Sequence, residues 1–191
     1  MTVAATTYLD APSEAYVADV LEEIDGHVPI LEAYLLGSGV VGGFDPKTSD
    51  IDLVVVVASP LGSERDAVVQ RLRGIPCPVR DLQLVVYVEG AQPPHFELNV
   101  NEGVERPEED GFWFVLDAAL AQERAVPLRG DRPWSDFFQP VSRERVRSAL
   151  AESIAWSERQ APHDEFALMN AIRARHYLEH GEWISKGEAG R

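Results

Sequence analysis

Only one cysteine, Cys77, occurs in 191 residues, which excludes a disulfide framework and a thiolate zinc site and suits a reducing compartment. Bases are also scarce. Seventeen Lys and Arg stand against 32 Asp and Glu, for a formal net charge of −15. A surface so poor in cations repels the phosphate backbone, which is normally held by clustered Lys and Arg, so nucleic acid is not an expected partner. Long apolar runs are missing too. The longest, residues 53–58, is strand-sized and far below the roughly 20 residues a membrane helix needs. The opening residues, MTVAATTYLDAPSEAY, carry neither a basic n-region nor an apolar h-region. A soluble, cytoplasmic protein with no membrane partner is expected. The acidity leaves two readings open: it keeps the protein soluble, or it raises the local concentration of a positively charged ligand.

What is present is enough for a core, since 45% of residues are hydrophobic. Residues 15–27 place Val17, Val20, Leu21 and Ile24 on one helical face. Residues 30–36 read as a first strand, and the glycines at 37, 39, 42 and 43 break the chain into a loop. Residues 52–58 are β-branched and apolar on both faces, as a central strand requires. A short amphipathic helix over 64–73, a strand over 82–88 and an edge-like strand over 95–100 follow. Residues 112–123 predict a helix, 128–140 a linker rich in turn residues and aromatics, and 142–156 and 164–179 two more helices. The expected fold is α+β: a small mixed sheet flanked by helices over 1–139, then a helical segment over 140–191.

The informative stretch is Leu35-Leu36-Gly37-Ser38-Gly39, a gap, then Ser49-Asp50-Ile51-Asp52-Leu53. Alternate strand side chains share a face, so Asp50 and Asp52 project together. Such a pair repels unless a cation lies between, and hard divalent cations want oxygen. Mg²⁺ takes one or two protein carboxylates and completes its shell with substrate phosphate and water. Gly37 lets the backbone approach a phosphate, and Ser38 offers a hydroxyl and an amide as neutral donors. Asp-x-Asp and Gly-Ser are each common in ordinary strand starts and turns. It is their order and spacing that carry meaning.

That order and spacing resemble the signature of the DNA polymerase β nucleotidyltransferase superfamily. Residues 34–43 and 47–53 are similar to those of the aminoglycoside adenylyltransferases of the streptomycin/spectinomycin type. So are Phe96-Glu97-Leu98-Asn99, Leu116-Asp117-Ala118-Ala119, Leu168-Met169-Asn170-Ala171-Ile172-Arg173 and Ser185-Lys186. The resemblance spans nearly the whole chain and implies transfer of AMP from ATP to a hydroxyl of an aminoglycoside, conferring antibiotic resistance. It implies Mg²⁺, as two ions, on Asp50 and Asp52, with Gly37, Ser38 and Ser49 at the nucleotide. It further implies that Arg173 and Lys186 touch the ATP phosphates, and that Trp156, His163 and Asp164 face the drug. The acidic charge favours a cationic acceptor, and a monomer is expected. Other acceptors, such as a lincosamide or a protein side chain, stay open.

The chain departs from this pattern in two places. Where the family places a glutamate as general base, this sequence has Gln83, whose amide cannot take a proton at neutral pH. Three explanations follow: weak or lost transfer in an ATP- and ligand-binding homologue, a Glu→Gln substitution that traps the complex, or another acid such as Glu97 acting as base. Second, family members continue for several helices beyond the Ser-Lys segment, so the helical segment is expected to be incomplete or unusually small.

Overall fold

The computed structural model describes residues 8–101, 104–105, 111–160 and 164–190, with the side chains of 104, 105 and 186 outside the description. Helix α1 (Ala11–Asp25) begins four residues earlier than its apolar spacing predicts, because Asp10 caps it by accepting from the Ser13 amide at 3.0 Å. Its buried face holds Val17, Val20, Leu21 and Ile24, as expected. The chain then lays down β1 (Ile30–Leu35), the one-turn helix α2 (Ser38–Val41) inside the expected glycine loop, and β2 (Asp50–Val57). After a 3-10 turn, α3 (Arg65–Gly74) carries the chain across to β3 (Asp81–Val88), which lies parallel to β2.

β4 (Leu98–Asn101) and β5 (Val104–Glu105) extend the sheet antiparallel, and α4 (Gly111–Arg124) leads to β6 (Val126–Arg129). The order is β5-β4-β3-β2-β1-β6, so the apolar β2 is interior, as a strand buried on both faces must be. Ile51, Leu53, Val55 and Val57 face α1 and α3, while Val54 and Val56 face a second core on the other side. The α+β architecture expected from the sequence forms. The expected strand at 95–100 starts only at Leu98 and pairs with both β3 and β5, so it is not an edge among the described strands.

Residues 128–140 are not a linker. Leu128 and Arg129 complete β6, which pairs antiparallel with β1. Trp134, Phe137 and Phe138 are buried with Tyr34, Leu36, Val54, Val56 and Tyr87. Proline and glycine hide this strand in the sequence, but three aromatics this large cover too much apolar area to stay in water. Trp134 stacks on Phe138 at 4.1 Å and meets Tyr34 edge-on at 5.3 Å. Glu32, 2% exposed on β1, accepts from the backbone amides of Asp131 and Arg132 at 3.3 and 3.1 Å and so ties the β6 exit to the sheet.

Helices α5 (Arg143–Arg159) and α6 (Glu165–His180) are capped by Ser142 and Asp164, and α7 (Lys186–Ala189) follows. Ala119 of α4 packs with Val146 and Leu150 of α5 and Ala174 of α6, which docks the helical segment on the second face of the sheet. No helix among the described residues is long and apolar enough to cross a membrane. Trp134→Ala should cost about 3–5 kcal/mol, as for other buried aromatic truncations, with the loss read from urea unfolding. A solvated linker residue would give almost none.

Candidate active site

The face that β2 turns toward the helical segment ends in Asp50 and Asp52. Parallel register sets Asp50 beside Asp81 and Asp52 beside Gln83, and β4 adds Asn101 opposite Gln83. A patch of acids and amides therefore lines the start of two parallel strands, on the side where Val54, Val56 and Val85 continue as apolar wall.

Gly37 is fixed by its neighbour. The Leu36 amide donates to the Asp52 carbonyl at 2.9 Å, so the next residue emerges directly against the Asp52 side chain. Gly37 adopts φ 58°, and a Cβ there would overlap Asp52 Oδ2. Only glycine brings the backbone this close to the carboxylate. Ser38 opens α2 immediately beyond. Ser49, buried, uses its hydroxyl to accept from the Asp45 amide at 3.0 Å, closing the turn that delivers Asp50.

Two acids of the patch meet a side-chain donor. Arg80 forks onto Asp50, Nε donating to Oδ1 at 2.7 Å and a terminal nitrogen to Oδ2. Gln83 Nε2 donates to Asp81 Oδ2 at 2.8 Å. A carboxylate only accepts, so the amide nitrogen must face Asp81 and the amide oxygen must turn away from it. Glu97 is not placed to replace Gln83. Its amide bonds the Val86 carbonyl, three residues along β3 and thus about 10 Å from Gln83 at strand spacing. Its carboxylate accepts from the Leu61 amide at 3.1 Å, beyond the far end of β2.

From the helical side, Arg173 on α6 donates through Nε to the Ile184 carbonyl at 2.9 Å. Burial pushes its guanidinium pKa down, and the charges of Asp52 and Asp117 oppose that shift, so it lies within the field of the acidic patch. Ser185 sits close by the glycine loop: a Cβ on Gly43 would lie 3.9 Å from its side chain. That contact brings the backbone before Lys186 to the loop, while the Lys186 side chain falls outside the description.

Of the expected drug-facing residues, Trp156 and Asp164 fall within the described part of the chain. Trp156, part-buried on α5, meets Trp113 edge-on at 5.3 Å and Phe166 at 6.3 Å. Asp164 caps α6, accepting from the Ala167 amide at 3.1 Å, and His163 lies outside the described residues. Among the described residues no three His, Cys, Asp or Glu side chains are arranged to hold a metal. Two carboxylates beside a backbone cradle suit Mg²⁺, which draws the rest of its shell from water and phosphate.

No protein-family model matches the chain. Among solved structures it is similar to spectinomycin adenyltransferase AAD(9) from Enterococcus faecialis, crystallised with ATP and spectinomycin. The TM-score is 0.79 at 20% identity, over 95% of this chain and 81% of that one. The fold is that of a nucleotidyltransferase. At that identity the likeness establishes the fold alone.

Arg80 and Asp81 have no role in the sequence patterns, and Asp117 enters them only within the 116–119 helix motif. The signal for the first two is an Arg-Asp pair at the start of a strand, readable only once β3 is known to lie parallel and in register with β2. Gly37→Ala should destabilise by about 1–3 kcal/mol through positive φ and the forced overlap. In an Asp52→Ala background part of that loss should vanish, a coupling that a double-mutant cycle by chemical denaturation measures. Strict additivity would mean the loop and carboxylate do not touch.

Proposed function

We propose that the chain is a magnesium-dependent adenylyltransferase that moves AMP from ATP to a hydroxyl of a cationic aminoglycoside of the streptomycin/spectinomycin type, conferring resistance as a cytoplasmic monomer. One arrangement carries the reading: Asp50 and Asp52 on a shared strand face, Gly37 packed on Asp52, and Arg173 aimed into the same field from the helical segment. The solved neighbour holds ATP and spectinomycin, which supports nucleotide and acceptor alike. The net charge of −15 favours a cationic acceptor over an anionic one.

In this reading Asp50 and Asp52 hold the metal ions. When bound, magnesium neutralises the triphosphate and makes the acceptor hydroxyl more acidic. The Gly37 backbone and the Ser38 amide and hydroxyl grip the leaving pyrophosphate, and Ser49 keeps the turn that aims Asp50. Arg173 and Lys186 meet the phosphates from the helical side, where charge-assisted bonds to phosphate oxygens are strong. Trp156, with Trp113 and Phe166, offers an aromatic wall to the acceptor, and Asp164 and His163 lie at the start of the neighbouring helix. Gln83 occupies the base position and accepts a hydrogen bond from the acceptor hydroxyl without taking its proton.

Binding and transfer therefore separate, and the second reading, an ATP- and ligand-binding homologue that transfers poorly, is favoured by Gln83 alone. Asp50→Asn should abolish Mg²⁺-dependent ATP binding in calorimetry while a cooperative melt shows that the protein still folds. Retained affinity overturns the metal assignment. A general base contributes about 10²–10⁴-fold. Gln83→Glu, made together with Asp81→Asn so that the new carboxylate faces a donor, should raise pyrophosphate release with ATP and spectinomycin at least about 10²-fold. No gain, with the parent already turning over well, places the base elsewhere.

A further inference from the structure

Asp50 gives both carboxylate oxygens to one guanidinium. Arg80 Nε meets Oδ1 at 2.7 Å and a terminal nitrogen meets Oδ2, the bidentate fork that makes the strongest side-chain ion pairs. Backbone geometry enforces it. The Arg80 amide donates to the Ser49 carbonyl at 3.3 Å, and the next pair along, Asp50 and Asp81, is in parallel register. The two residues are thus adjacent across the strand starts, whatever their side chains do. The Asp50 side chain is 11% exposed and the Arg80 side chain 48%, so the carboxylate lies inside and the guanidinium covers it from the solvent side.

Any divalent cation on Asp50 needs those same oxygens. We propose that Arg80 is the resident counter-cation of this site: it occupies Asp50 in the free protein and has to be displaced before a divalent cation binds there. A bare hydrated ion gains two carboxylates and must break the fork, whereas an ion carried by a triphosphate also brings anionic oxygens that receive the displaced guanidinium. Arg80 would thereby make the metal enter with the nucleotide rather than ahead of it. Arg80 is half exposed, so it can turn from Asp50 toward solvent while Ile51 and Leu82, next along the two strands, stay buried. The inference rests on the reading of Asp50 as a metal ligand, and its test keeps the two apart.

Mn²⁺ alone and Mn²⁺–ATP are titrated by calorimetry into the parent, Arg80→Ala, Arg80→Lys and Arg80→Ala/Asp50→Asn, each first confirmed folded by its melt. Arg80→Ala should bind bare Mn²⁺ at least tenfold more tightly than the parent, the gain should vanish in the double variant, and Mn²⁺–ATP should gain much less. Arg80→Lys, which keeps the charge and loses the fork, should lie between. If the parent and Arg80→Ala bind bare Mn²⁺ equally and both need Asp50, the inference fails while the metal reading stands. If Arg80→Ala gains but Arg80→Lys matches the parent, charge at a distance is acting and occupancy is refuted. If neither bare Mn²⁺ nor Mn²⁺–ATP depends on Asp50 in any variant, the functional reading falls and takes this inference with it.

Discussion

Carboxylates held in register on one face of a sheet repel one another, and the surroundings of the β2 start answer to that repulsion. Asp50, Asp52 and Asp81 project from two neighbouring parallel strands. Asp50 is bridged by a guanidinium and Asp81 by an amide nitrogen, while Asp52 lies under the glycine backbone and in the field of the part-buried Arg173. In a chain with 32 acids and 17 bases, bringing Arg80 and Arg173 to one small region is a considerable concentration of scarce charge. Burying any of these acids without such partners would cost several kcal/mol or neutralise it.

Because the second core sits on the same face, the helical segment is tied to this patch. Arg173 belongs to α6, yet it is anchored to the Ile184 carbonyl and feels Asp52 across the gap. Ser185 lies near the glycine loop at Gly43. A cation from the helical segment and an acid from the sheet, far apart in sequence, thus act on one another.

The central elements were legible because their signals are local. A valine run apolar on both faces can only be an interior strand, and a glycine followed by an aspartate pair with alternating spacing places a backbone against carboxylates. Gln83 was locatable for the same reason, one strand over. What escaped depends on register across crossovers. Arg80 reaches Asp50 only because α3 returns the chain parallel to β2, and no window of sequence contains both residues. Glu97 looked like a neighbour of Gln83 because strand order was right, but antiparallel β4 runs it to the far end, where it bonds the Leu61 amide instead. Proline at 127 and glycine at 130 disguised β6 as a connector, although its partner β1 needed an edge to pair with.

The pairing of β6 with β1 sets the order in which the sheet can be finished. Ala33 meets Arg129, almost a hundred positions later, whereas β1 and β2 are separated only by residues 36–49. On a ribosome the chain emerges N-terminus first. The strands bearing Asp50, Asp52 and Gln83 can therefore assemble while β1 still lacks its outer partner. Its edge stays open until residue 129 has been made, and an unpaired edge is where strands of other chains attach. Glu32 on that strand accepts from the Asp131 and Arg132 amides just past β6, so until that segment is made its carboxylate lacks these partners, and a charged side chain beside an open edge is the kind of guard that discourages premature pairing.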